Sequence, residues 1–121
     1  MVEILKSRTK AIGVGCIFLS KEIAPSRHGD VVARQLIRCA TSIGANYRAA
    51  ARAKSTADYI NKLKIVEEEA DETLYWLEVS ESCGLISADK INFLRSELNE
   101  ILAIIIATIK SLRAKINNNR S

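Results

Sequence analysis

The sequence predicts an all-α protein, an antiparallel up-down-up-down four-helix bundle. Five glycines, one proline and six aromatic residues in 121 positions are too few for the turns and core of a β-sandwich or barrel. Apolar residues instead recur every three or four positions through four segments separated by short breaks, the pattern of amphipathic helices. A chain of this length is typical of one domain, so we expect residues 1–121 to form a single bundle.

The first predicted helix precedes Pro25, because the residue before a proline avoids helical geometry. Its apolar positions recur at four- and seven-residue intervals: Ile4/Leu5, Ile12, Leu19 and Ile23. The basic residues before the apolar stretch 11–19 also resemble a short secretory signal, but no small-residue cleavage site follows. The three cysteines are not arranged as C-x-x-C and are interpreted as small buried apolar groups in a reducing compartment. We therefore predict a cytoplasmic helix.

The second and third predicted helices each follow a polar capping residue. Asp30 is the expected N-cap of the second helix, and Ser55 that of the third. Gly84 is expected to end the third helix in a left-handed conformation. The predicted core positions of the two helices are Val32, Leu36, Cys39, Ile43, Tyr47, Ala50, Tyr59, Leu63, Val66, Ala70, Thr73 and Leu77.

The fourth predicted helix begins after Ser87 and carries more apolar residues than one core-facing stripe needs. Ile104 and Ile106 lie beside the stripe, which favours a second buried face and self-association, although single exposed isoleucines are common on protein surfaces. Trp76 of the third helix is expected at a seam between helices or subunits. Residues 117–121 are expected to form a frayed tail.

Charge is segregated along the chain although the net charge is only +4. Residues 1–64 hold 12 basic and 4 acidic groups, and residues 65–100 hold 2 basic and 10 acidic groups. Arg34, Arg38, Arg48 and Arg52 share one face of the second helix, a row of about 27 Å, and Lys62 and Lys64 are expected to continue it. Such a row is able to bind the phosphates of RNA or DNA. It is alternatively a solvated face, or a surface that pairs with residues 67–72 within or between subunits.

Groups for catalysis are scarce. His28 is the single histidine, so we expect no zinc site, no di-iron site and no cofactor. Glu68 and Glu72 share a helix face, but without a histidine partner their expected role is charge pairing. Gly13 and Gly15 lack the third glycine of a nucleotide-binding loop. The uncharged run before Lys110 is too short to span a membrane. We therefore expect neither an enzyme nor a membrane partner.

Two sequence blocks resemble a known family. QLIRCATSIGANYRAA (residues 35–50) and EEADETLYWL (residues 68–77) are similar to signatures of bacterial proteins first met as reading frames in intervening sequences of 23S ribosomal RNA genes. The resemblance implies a four-helix bundle, commonly a ring-shaped homopentamer, with a basic surface suspected of binding nucleic acid. A distant relative of that family, the accessory variability determinant of diversity-generating retroelements, partners a reverse transcriptase and RNA.

These observations predict a non-enzymatic, homo-oligomeric bundle that binds the RNA or DNA backbone through the basic row of the second helix. The alternative is a protein-interaction scaffold, whose basic and acidic faces pair between subunits or with a partner protein such as a reverse transcriptase.

Overall fold

The computed structural model describes residues 1–120, and the side chains of residues 1–119, as four helices. They are α1 (Val2–Ser20), α2 (Arg27–Ala50), α3 (Thr56–Ser82) and α4 (Ala88–Arg120). Each helix packs against the next along the chain, and α4 packs back on α1. This closed antiparallel arrangement confirms the predicted four-helix bundle. The described helices include none that is both long and apolar enough to cross a bilayer.

The core is formed by the periodic apolar positions. Leu36, Leu63 and Leu98 are fully enclosed, and Tyr47 is the largest fully buried side chain. Every predicted core position of the second and third helices is buried except Tyr59, which packs at the edge of the core. The three- and four-residue spacing therefore identified the inward faces correctly, because a helix places such positions on one side.

Two of the three cysteines belong to this core. Cys16 and Cys39 are buried, and burial raises the pKa of the Cys16 thiol to about 12. Both therefore stay protonated and serve as small apolar packing groups. The expectation that all three are buried is wrong for Cys83, which is exposed just after α3.

The helix starts show where the sequence was ambiguous. The Ser55 hydroxyl accepts a hydrogen bond from the Asp58 N–H at 3.1 Å, which confirms the predicted cap of α3. The predicted cap of α2 was wrong, because the Ser26 hydroxyl accepts from the Gly29 N–H at 2.9 Å. Asp30 lies in the first turn instead, where its negative charge is favoured by the helix dipole.

The end of α3 was predicted correctly. Gly84 has φ +69°, and the Leu85 N–H donates to the Ser80 carbonyl at 2.9 Å. The Gly84 N–H donates to the Glu81 carbonyl at 3.0 Å. These two bonds form a Schellman motif, which satisfies the last carbonyls of the helix and requires the left-handed conformation that glycine adopts most easily.

The outer helix bounds differ from those expected. α1 ends at Ser20, before the connection that contains Pro25. α4 continues through residue 117, where the frayed tail was expected to begin, as far as Arg120. Ser121, the last residue of that expected tail, lies outside the described residues.

α1 and α2 approach each other closely through glycine. A Cβ atom at Gly44 would lie 3.2 Å from the Lys10 backbone nitrogen, and one at Gly13 would lie 3.3 Å from the Thr41 Cα. These contacts involve backbone atoms, which cannot rotate away as a side chain can. The missing side chains therefore let the two helices pack backbone to backbone.

Candidate nucleic-acid interface

Four arginines stand along the outer side of α2 and the turn after it. Arg34, Arg38 and Arg48 lie within the helix, and Arg52 lies two residues past its end. The Arg52 N–H donates to the Ala49 carbonyl at 3.1 Å, so the turn continues the helical path. All four side chains are exposed, as the spacing predicts.

Three of these arginines have no partner among the described residues. The side chains of Arg34, Arg48 and Arg52 form neither a hydrogen bond nor an ion pair in the part of the chain that the structure describes. Their guanidinium groups are therefore available to an external anion. Arginine donates to phosphate oxygens in a bidentate manner and stacks on bases.

Arg38 differs, because it is held against α3. Its Nη2 donates to Glu72 Oε1 at 2.6 Å, and its Nη1 lies 3.6 Å from Glu69 Oε2. The hydrogen bond from Arg38 lowers the pKa of Glu72 and raises that of Arg38. Burial raises the pKa of Glu69. The sequence left open whether the arginine row is free or paired, and the structure gives a different answer for Arg38 than for the other three.

Arg27 extends the row and was missed by the sequence analysis. It is exposed at the start of α2, seven residues before Arg34 and thus on the same face. No hydrogen bond or ion pair joins it to another described side chain. With Asp30 as the predicted N-cap, Arg27 falls in the loop before the helix. A cap at Ser26, directly after Pro25, was the signal that places it on the helix.

Lys62 and Lys64 each pair with a carboxylate of α3. Lys62 donates to Asp58 at 2.8 Å, which lowers the pKa of that carboxyl group. Lys64 pairs with Glu67 at 3.2 Å. Lys64 also lines a groove of about 470 Å³ between α3 and α4, together with Lys110 and Arg113. Its surroundings are thus set by α4 rather than by α2.

A second groove adjoins the arginine row. It lies between α1 and α2, has a volume of about 620 Å³, and is lined at one end by Lys6, Lys10 and Arg48. Lys10 is exposed and carries no ion pair with a described residue, whereas Lys6 pairs with Glu3 at 3.2 Å. The two lysines were not predicted as site residues, since only the packing of α1 on α2 brings them beside Arg48.

The outer face of α3 is acidic. Glu68, Asp71 and Glu78 are exposed and form no ion pair with the side chains described. Tyr75, which is 56% exposed, lies among them. A surface with free arginines and a surface with free carboxylates therefore lie on adjacent helices of the same chain.

The three residues expected at an oligomer interface occupy different surroundings. Trp76 is partly buried and packs against the core, with its ring edge-to-face with Tyr75 at 5.2 Å. Ile104 is partly buried against the core as well. Ile106 is 47% exposed and lines the groove between α3 and α4. Positions two apart face different sides of a helix, so the two isoleucines do not form one patch.

The remaining polar residues considered as site candidates are Ser42, Asn46 and His28. Asn46 donates to the Ser42 carbonyl at 2.8 Å, and the Ser42 hydroxyl donates to the Arg38 carbonyl at 2.8 Å. Both residues therefore bind the backbone of α2. His28 is exposed. Within residues 1–119, no three His, Cys, Asp or Glu side chains are grouped so as to hold a metal ion.

The fold and this surface define a class: a small antiparallel four-helix bundle with a basic face on its second helix. The chain belongs to the 23S rRNA-intervening sequence protein family, whose family model matches residues 9–107. It is also similar to a solved protein of unknown function from the S23 ribosomal protein family of Bacteroides thetaiotaomicron, with 36% identity and a TM-score of 0.81. The match covers 88% of this chain and 98% of that one. None of the curated proteins compared with the chain matches it.

Proposed function

We propose that the protein is a non-enzymatic, homo-oligomeric bundle that binds the RNA or DNA backbone through the basic face of α2. The observation that carries this proposal is the exposure of Arg34, Arg48 and Arg52 without a carboxylate partner among the described residues. A phosphate backbone supplies regularly spaced anions for such a row. Contacts of this kind position a protein on nucleic acid without reading its sequence.

Oligomerisation strengthens this function. The resemblance to the intervening-sequence proteins supports a homopentamer, in which five basic faces act together. Several weak contacts to one polyanion then give an avidity that a single row lacks. The unpaired thiols of Cys16 and Cys39 support a cytoplasmic location.

A second candidate is a protein-interaction scaffold. The free carboxylates of Glu68, Asp71 and Glu78 favour it, because their charge complements that of the arginine row. In this arrangement α2 of one copy faces α3 of the next, and the contact repeats around a ring. The same acidic face also suits a basic partner protein, such as a reverse transcriptase.

The double variant Arg48→Ala/Arg52→Ala distinguishes the two candidates. Binding of a fluorescein-labelled 20-nucleotide RNA is measured by fluorescence anisotropy at low salt, the melting temperature by circular dichroism, and the subunit number by light scattering. Nucleic-acid binding predicts a loss of affinity with unchanged melting temperature and subunit number, because neither arginine has an ion-pair partner within the described chain.

The matched control is Arg113→Ala/Lys115→Ala on α4, which removes the same charge from another face. Equal loss of RNA affinity in both double variants would mean that net charge, rather than the α2 face, attracts RNA. Loss of the oligomer in Arg48→Ala/Arg52→Ala, with no RNA binding by the wild type, would replace the first candidate with the scaffold.

A further inference from the structure

The groove between α1 and α2 changes character along its length. Lys6, Lys10 and Arg48 line one end, together with Glu3, which pairs with Lys6 at 3.2 Å. Val14 and Ile17 line the other end, 43% and 38% exposed. On α1, these two positions lie about 6 and 10 Å beyond Lys10, at 1.5 Å per residue.

The packing of the helices explains how the charged end arises. Gly44 lies directly against Lys10, as the Cβ distance of 3.2 Å to its nitrogen shows. Arg48 is one turn further along α2, and Lys6 is one turn back along α1. Because the helices are antiparallel, these steps lead in the same direction. The three cations therefore gather at one end of the groove.

We infer that this groove seats one nucleotide of a single strand, with its phosphate at the cationic end and its base against Val14 and Ile17. The inference rests on the proposed function and adds a preference for unpaired nucleic acid. The groove volume of about 620 Å³ is within the roughly 300–1,000 Å³ common for small-molecule sites.

The apolar end decides between single and double strands. A base that is paired and stacked in a duplex has no face available to Val14 or Ile17, whereas an unpaired base can turn out of the strand. The phosphate row of a duplex still contacts the outward arginines of α2. Both forms are therefore expected to bind, but only the single strand gains affinity from contacts of its bases with the groove.

The test compares three fluorescein-labelled probes of equal length: an oligo-dT 12-mer, the same 12-mer with abasic sites throughout, and a 12-base-pair duplex. The oligo-dT should bind about five- to tenfold more tightly than the abasic strand, because only the former buries apolar base surface. Ile17→Ser should remove most of that difference and leave abasic and duplex binding unchanged. Val14→Ser, at the more exposed position, should act in the same direction.

Ile65→Ser is the matched control, since Ile65 is 42% exposed and lies on α3, outside the groove. Lys10→Ala should weaken the binding of both single-stranded probes, whereas Lys21→Ala, about three turns beyond Lys10 and directly after the end of α1, should not. Thermal melts confirm that each variant is folded.

Equal affinity for oligo-dT and the abasic strand, or no effect of either groove serine variant, would overturn the inference. If binding then still depends on Arg48 and Arg52, the proposed function stands without it. If no probe binds to the wild type at low salt, the proposed nucleic-acid binding and the nucleotide site in the groove are both wrong.

Discussion

Two arginines one turn apart on α2 have opposite roles. Arg38 joins α2 to α3 through Glu69 and Glu72, whereas Arg34 has no carboxylate partner in the described part of the chain. Their spacing along the helix is the same as that of a uniform basic row. The difference comes from α3, which places its carboxylates beside only one of them.

Arg38→Ala should destabilise the bundle, while Arg34→Ala should leave its stability unchanged. Removing Arg38 leaves the carboxylate of Glu69, which is only 20% exposed, without its cation, and an uncompensated charge in a partly buried place is unfavourable. Chemical denaturation at pH 7 measures both variants. Adding Glu69→Gln to Arg38→Ala should restore part of the loss.

The loss of stability in Arg38→Ala should depend on pH. Burial already raises the pKa of Glu69, and removing Arg38 raises it further, so the folded state binds a proton more readily than the unfolded state. The penalty in Arg38→Ala is therefore largest at neutral pH and shrinks as the pH falls through the raised pKa of Glu69. A penalty that is constant between pH 7 and pH 4 would contradict this explanation.

Within single helices, the sequence predicted the buried faces better than it predicted the residues at which the helices begin and end. The periodic positions predicted for α2 and α3 are buried with one exception, but the small or polar buried residues Gly44, Ala40 and Ser80 were not among them. The start of α2 was misplaced because Ser26 and Asp30 are both good N-caps. Only the hydrogen bond from Gly29 N–H to Ser26 shows which of them caps the helix.

The close contact of α1 with α2 predicts unequal effects of two glycine substitutions. Gly44→Ala places a methyl group 3.2 Å from the Lys10 backbone nitrogen and should cost about 1–3 kcal/mol of unfolding free energy. At Gly15 a methyl group would meet the Leu94 side chain, whose Cδ2 would be 2.8 Å away. The end of a side chain can shift where a backbone atom cannot, and alanine is favoured over glycine within a helix by about 1 kcal/mol.

Denaturant unfolding of both variants measures the difference. Gly44→Ala should be clearly less stable than Gly15→Ala. Equal stability of the two variants would contradict the view that the backbone contact at Gly44 is less tolerant than the side-chain contact at Gly15.

At the scale of the whole molecule, ion pairs join the first helix to the last. Arg8 donates to Glu97 at 2.7 Å and lies 3.2 Å from Glu100. The hydrogen bond from Arg8 lowers the pKa of Glu97 below its usual value near 4.5. A carboxyl group with a lowered pKa stabilises the fold above its unfolded pKa, and that contribution is lost as the pH falls through the folded pKa.

Glu97→Gln should therefore destabilise the protein by about 0.5–1 kcal/mol at pH 7 and have little effect at pH 3. Melting temperatures across this range measure the change. Glu100→Gln is the control, because Glu100 is 63% exposed and should matter less. A Glu97→Gln effect that persists at pH 3 would point to packing rather than charge.

The candidate site was predictable only as far as it lies on one helix. The spacing of Arg34, Arg48 and Arg52 placed them on an exposed face of α2, and the structure agrees. Lys10 and Arg48 come together only when α1 packs on α2, a contact between residues 38 positions apart. Lys64 meets Lys110 and Arg113 for the same kind of reason. Helical periodicity carries no information about such contacts between elements.

The salt dependence of RNA binding tests directly whether the unpaired arginines of the basic row hold a phosphate backbone. The logarithm of the association constant is plotted against the logarithm of salt concentration for the wild type and for Arg34→Ala/Arg48→Ala/Arg52→Ala. Each phosphate neutralised on a single strand contributes a slope of about −0.7, so the triple variant should have a slope shallower by about 2 per binding subunit. A wild-type slope near zero, or identical slopes for the two proteins, would contradict the account.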